Sequence, residues 1–349
     1  MFDNALVSKN ETAVSGAIPV PRNRRDSEVE RALRAIVFDG TIEQWTLGFS
    51  LESQFTLYRQ TLMKRCADQE NSTVKVVAPI EPILRWAGSK RRVVPQLKEY
   101  WSERFHRYME PFAGSACLFF AIQPKNALLS DINPDLIDLY AEVTRSPADV
   151  YAHLTGMPRG SDAYYKVRSM PIESLSQAQR AARFMYLNRF CFNGLYRTNS
   201  AGKFNVPFAP NKTGDLPTWT QFERAAKLLS QATVLCSDFE EVIWRNVKRG
   251  DFIYLDPPYA VEARRVFRQY DPSSFNSLDL HRLNETLFEI DRRDAHFVLS
   301  YAECREAKEC FRHWSGKRIL VQRNIAGFAQ HRRKAAEMLF SNIPMPNVQ

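Results

Sequence analysis

Apolar residues recur along the chain at two spacings, and the places where the spacing switches outline its elements. Runs of strand composition occupy 107–110, 127–131, 233–236, 251–255, 296–300 and 318–322. Between them apolar positions fall at helical spacing over 117–121, 136–143, 148–154, 178–187 and 277–292. Strands alternating with helices predict an α/β fold with a mixed, mostly parallel sheet. From 134 to 231 the alternation is interrupted by a segment that is helical in its first half, which predicts an insertion.

The first 77 residues follow a different pattern. Residues 1–26 mix Ser, Asn and Pro with an Arg22-Asn23-Arg24-Arg25 cluster and show no apolar period, which predicts a disordered arm. From 27 to 77 a small helical appendage is expected. Ser27 with Glu30 three residues on forms a capping-box pattern ahead of Val29, Leu33, Ile36 and Val37, and 41–64 resembles a helix-turn-helix with Gly48 at its turn.

At 349 residues with 44% hydrophobic content, the chain can bury a sizeable core. No run of eighteen apolar residues occurs, and Met1-Phe2-Asp3-Asn4 lacks the form of a signal peptide, so no membrane partner and a cytoplasmic setting are expected. The 6 cysteines fall singly, without a Cys-x-x-Cys pair, which predicts reduced thiols and no structural metal. Net charge is +9, and because residues 1–77 hold as many acids as bases, the whole excess lies beyond them. A basic catalytic portion suits a polyanion such as nucleic acid; solubility alone is the other reading.

The sharpest chemistry lies at the end of the run 251–255, which stops at Asp256-Pro257-Pro258-Tyr259. A carboxylate and a prolyl carbonyl can both accept hydrogens from a planar exocyclic amine, proline fixes the backbone that presents them, and Tyr259 offers a stacking face. The plain alternative is a loop after a core strand, in which the prolines only break the sheet. Upstream, Asp131 ends an earlier strand, where a carboxylate can accept both hydroxyls of a ribose.

Taken with its surroundings, Asp256-Pro257-Pro258-Tyr259 resembles the catalytic motif of amino-methylating DNA methyltransferases. The order of elements before it resembles the alpha group, in particular the Dam-like D12 class of adenine-N6 enzymes, over roughly residues 80–342. Pro82 to Lys90, containing Trp86-Ala87-Gly88-Ser89-Lys90, is similar to the first family motif, with Ser89 in place of a glycine. Pro111-Phe112-Ala113-Gly114-Ser115-Ala116 is similar to the cofactor loop, with Ala116 in place of its last glycine. Residues 186–208 are similar to a hairpin that the family lays against DNA, turned by Ser200-Ala201-Gly202-Lys203.

The resemblance implies a Rossmann-like S-adenosylmethionine-dependent methyltransferase fold with an inserted helical target-recognition domain. The catalytic domain would be 78–133 and 232–345, and the recognition domain 134–231. It implies S-adenosyl-L-methionine as cofactor, held by Trp86, Lys90, Glu110, Phe112, Asp131, Asp238 and Asp256, with Lys90 meeting the methionine carboxylate. Catalysis would rest on Asp256, Pro257 and Tyr259. Double-stranded DNA would be read by Phe192, Leu195, Arg197, Asn199 and Pro207, with GATC the leading site. The rival readings are a cytosine-N4 enzyme, which usually has serine where Asp256 stands; a protein-glutamine methyltransferase, which prefers asparagine there; and a non-catalytic DNA-binding regulator.

Overall fold

The strand runs assemble around β1 (Arg107–Glu110). In the computed structural model β2 (Ala127–Asp131) pairs with it on one side and β4 (Asp251–Leu255) on the other, both parallel. β3 (Ala232–Cys236) extends the sheet beyond β2, and β5 (His296–Ala302) extends it beyond β4, again in parallel. β7 (Lys334–Ser341) then runs antiparallel between β5 and β6 (Ser315–Gln322), giving the order β3-β2-β1-β4-β5-β7-β6. The structure describes residues 79–210, 215–259, 275–322 and 334–344, all within the unit Glu70–Gln349. The N-terminal arm, the helical appendage, most of the arginine-rich loop after Tyr259 and the side chains at 332–334 lie outside the described residues.

Alternation across the pleat gives the sheet two apolar faces. Tyr108, Leu129, Phe252, Tyr254 and Val298 belong to one core. Met109, Leu128, Ile253, Leu255 and Leu299 belong to the other. The first face is covered by α1 (Val94–Lys98) and α2 (Cys117–Ile122), and by the insertion: α3 (Pro134–Arg145), α4 (Pro147–Gly156), α5 (Ser161–Ser169), α6 (Gln177–Phe190) and α7 (Trp219–Leu229). The second is covered by α8 (Phe239–Asn246), α9 (Ser277–Arg292) and α10 (Arg305–Cys310). This is a doubly wound, Rossmann-like α/β fold. From β1 the chain winds through β2 to β3, then returns to β4 on the other side of β1. The crevice beyond the carboxyl ends of β1 and β4 is therefore the switch point, where ligands bind in such sheets.

The helices of the insertion pack onto the sheet: Tyr140, Val143, Tyr164, Tyr186 and Phe222 share one core with its Tyr108 and Phe252. The helix expected over 178–187 also runs on to Phe190, so the hairpin begins after it. Helices α5 and α7 had not been read from the sequence. α5 buries little beyond Tyr164 and Val167, whereas α7 opens with a capping box, Thr218 with Gln221, that was there to be seen.

Candidate active site

β4 is buried along its whole length and delivers Asp256 to the switch point. Its Oδ1 accepts from Lys90 Nζ at 2.5 Å and from Ser300 Oγ at 3.0 Å, and Ser300 in turn lies 3.1 Å from the Tyr254 hydroxyl. Both donors converge on one carboxylate oxygen; among the described residues no hydrogen bond reaches Oδ2. Burial pushes the Asp256 carboxyl above its ordinary value, against the opposing pull of Lys90 and Ser300. Burial alone would lower Lys90, yet the Asp256 carboxylate, with Tyr259 and Glu337 behind it, holds its ammonium above the usual lysine value. The pair is thus an ammonium against a carboxylate.

Tyr259 packs its ring on Tyr301 at 4.9 Å, and Lys90 Nζ stands 5.2 Å from the Tyr259 centroid. Pro257 is buried and Pro258 exposed. Neither Ser300 nor Glu337 was read from the sequence. Ser300 looks like any polar residue in a strand, and Glu337 reaches this region only because β7 inserts between β5 and β6.

The neighbouring strand ends carry two more carboxylates. Glu110 is buried and accepts from the Tyr108 hydroxyl at 2.8 Å; burial, and the nearby Asp256 and Asp131, push its carboxyl well above the ordinary range. Asp131 accepts from Gly114 N at 3.0 Å on Oδ2 and from Asn133 N at 3.0 Å on Oδ1, while burial raises it. Gly114 is held at φ 46°, and a Cβ there would come within 2.8 Å of Trp86 Cδ1, so the Trp86 ring lies directly on the loop backbone. Next to Asp131, Ile132 is 69% exposed, an apolar surface at the carboxyl edge of the sheet.

Several expected cofactor residues have other partners in the structure. Lys90 turns to Asp256 Oδ1 and to Gly88 O at 3.2 Å. Asp238 caps α8 through Glu240 N and pairs with Arg282 at 2.7 Å. That guanidinium also bridges Glu240 and Asp279, and it lies over the Phe239 ring. Phe112 stacks on Phe239, centroids 5.1 Å apart.

The expected DNA-contacting residues form one segment beside this crevice. Residues 191–209 fold into an irregular hairpin with bridges Cys191↔Phe208 and Thr198↔Phe204. Phe192, 51% exposed, donates its amide to Pro207 O, and Pro207 is exposed next to it. Leu195 is half-buried against the core. Arg197 Nε donates to Asn205 Oδ1 at 2.7 Å, which fixes the guanidinium stem. Asn199 spends its side-chain oxygen on the turn, accepting from Ala201 N and Lys203 N, both at 3.0 Å.

The end of α6 and the hairpin after it are locked to the first motif. Asn188 accepts from Arg85 N at 2.9 Å and donates to Arg85 O at 2.6 Å, a two-point clamp that sequence inspection had not singled out. Gly194, at φ 66°, presses on Arg85, and Trp86 stacks on Tyr196 with centroids 6.1 Å apart. The elements that approach the two expected ligands therefore touch one another.

Comparison with known proteins agrees with this geometry. A family model described as D12 class N6 adenine-specific DNA methyltransferase matches residues 86–325. Type II methyltransferase M1.LlaDCHI of Lactococcus lactis subsp. cremoris is 29% identical over 272 residues, covering 75% of this chain and 95% of that protein. Type II methyltransferase M.MjaIII of Methanocaldococcus jannaschii is 32% identical over 243 residues, covering 63% and 84%. The DNA adenine methylase of Haemophilus influenzae is 30% identical over 266 residues, covering 74% and 92%. With its strand-end carboxylates at the switch point and a hairpin docked on the first motif, the chain belongs to the D12 class of N6 adenine-specific DNA methyltransferases.

Proposed function

We propose that the chain takes its methyl group from S-adenosylmethionine and delivers it to N6 of an adenine in a short palindrome of duplex DNA, with GATC the leading candidate. One observation carries this reading: among the described residues the Asp256 carboxylate is pinned through Oδ1 alone, so that Oδ2 and the Pro257 carbonyl can take the two amine hydrogens. S-adenosylmethionine, when bound, supplies a methyl group already activated on a sulfonium. Accepting the amine hydrogens turns the nitrogen lone pair toward that methyl, and alignment with stabilisation of charge growing on nitrogen does the rest. Tyr259 offers its ring to a base swung out of the helix.

The residues present suit the donor. Asp131, fixed by two backbone amides, would accept the ribose hydroxyls, and Ile132 would give an apolar surface for an adenine ring. Trp86 and Phe112 wall the loop, with Glu110 behind it. An ammonium has three hydrogens; two serve Asp256 and Gly88 and the Tyr259 hydroxyl lies beside the third, so meeting the methionine carboxylate would take Lys90 from one of these partners. Asp238, engaged by Arg282 and capping α8, would line the cofactor from the start of that helix. We assign 78–133 and 232–345 to catalysis and 134–231 to target recognition.

Within the hairpin, Arg197 is the residue assigned to a guanine edge, Leu195 and Pro207 to a thymine methyl, Phe192 to the base stack and Asn199 to the turn that presents them. Sequencing that reports modified bases, on DNA from cells expressing wild type and Arg197→Ala, tests this. Methyladenine within GATC, with relaxation at one position in the variant, is expected. Methylation at an unrelated site would overturn the GATC assignment, and an even loss across all sequences would make Arg197 a phosphate contact.

A further inference from the structure

The chain departs from the family pattern at two places in its cofactor loops, Ser89 and Ala116, and the structure joins them. Ala116 sits at φ 50°, ψ 41°, the left-handed region, at the start of α2, with no side-chain cap bond. A residue with a Cβ is disfavoured there; glycine is not. Both neighbours of Ala116 are tied to the same hydroxyl. Ser115 Oγ donates to Ser89 Oγ at 3.5 Å, and Ser89 Oγ lies 2.8 Å from Cys117 Sγ. Cys117 Sγ closes the ring at 3.2 Å from Ser115 Oγ. Burial raises the Cys117 thiol, opposed by the two serine hydroxyls, so it keeps its proton at neutral pH. Each of the three groups can then donate once around the ring.

We propose that Ser89, Ser115 and Cys117 form a latch that holds Ala116 left-handed, the serine at one departure supporting the alanine at the other. Ser89 is a positioning residue. It acts through residue 116 on the loop whose Gly114 amide meets Asp131. The effect on the methyl donor rests on the reading that S-adenosylmethionine lies along this loop.

A double-substitution cycle tests the latch. Calorimetry with S-adenosylmethionine is run on wild type, Ser89→Ala, Ala116→Gly and the double variant, all in the full chain. Ser89→Ala should weaken binding about fivefold to tenfold, within the range set by the left-handed preference. In the Ala116→Gly background, where residue 116 needs no support, the same substitution should weaken it less than about twofold. In steady-state kinetics the loss should fall on KM for the donor rather than on kcat. Equal losses in both backgrounds, or no loss in Ser89→Ala, would overturn the proposal. Amide hydrogen exchange over 113–120 without donor gives a second readout: exchange should quicken in Ser89→Ala, with a smaller added effect in the Ala116→Gly background. A wild type that binds no S-adenosylmethionine would defeat the cofactor reading, while the exchange pattern would still decide the latch. Should Ser89→Ala fail to fold, Cys117→Ala opens the same ring from its other end and enters the same cycle.

Discussion

Lys90→Met separates the work of the ammonium from the packing of the Lys90 stem, because methionine keeps most of the aliphatic stem and removes only the ammonium, with its bonds to Asp256 and Gly88. Across 2.5 Å the Coulomb attraction is about 7 kcal/mol at an effective dielectric of 20. Burial of both charges offsets much of it. Lys90 is 7% exposed and Asp256 19%, and Asp256 keeps its Ser300 bond in the variant. The expected destabilisation is about 3 kcal/mol, the low end for breaking a buried pair by removing one partner.

Its pH dependence is the sharper test. Asp256 is already raised by burial, and without the cation it rises further. A carboxyl whose folded value exceeds its unfolded one weakens the fold when ionised, so the variant's deficit should be full near about pH 8 and shrink toward about pH 5. Wild-type Lys90, raised in the folded state, contributes fully below its unfolded value of 10.5, so it does not contribute to that trend. Urea unfolding followed by tryptophan fluorescence at several pH values reads both effects. Adding Asp256→Asn to Lys90→Met removes the stranded charge and should restore most of the stability. A deficit equal at both pH values, or a double variant no better than the single one, would refute the reasoning.

Asp256→Ala should lower turnover by about 10²-fold or more while DNA still shifts in a mobility assay; retention of more than a few per cent activity would count against the assignment. Ser300→Ala removes a bond that favours the ionised Asp256, so the acid limb of kcat/KM should move to higher pH; an unmoved limb would exclude Ser300 from that ionisation. Gly194→Ala forces φ 66° on a residue whose Cβ would lie 2.7 Å from Arg85 Cβ, an expected loss of about 2–4 kcal/mol. An unchanged Tm would show that the hairpin and first motif separate freely.

The sequence by itself determined most of the strand-helix alternation, though neither α8 nor β7, together with the insertion near 134–231 and the acids at the strand ends. Each is a local property: strand composition, helical spacing and a carboxylate or proline at a strand's end are visible in a few consecutive residues. Helix 277–292 and strand 107–110 match α9 and β1 to the residue for that reason. Where the local signal was thin the reading was incomplete, as at α5, whose buried residues are few.

Only the tertiary structure decided which side chains answer one another. Lys90 and Asp256 are 166 residues apart, Arg85 and Asn188 103, and Ser300 and Asp256 44. No periodicity records such pairings; they follow from strand order, which placed β4 beside β1 and β5 beside β4. For the same reason the sequence did not show that Asp238, read as a cofactor residue, caps α8 and pairs with Arg282. A charge in a sequence has a sign and a position along the chain, but its partner is set by which surfaces the fold brings within hydrogen-bonding distance.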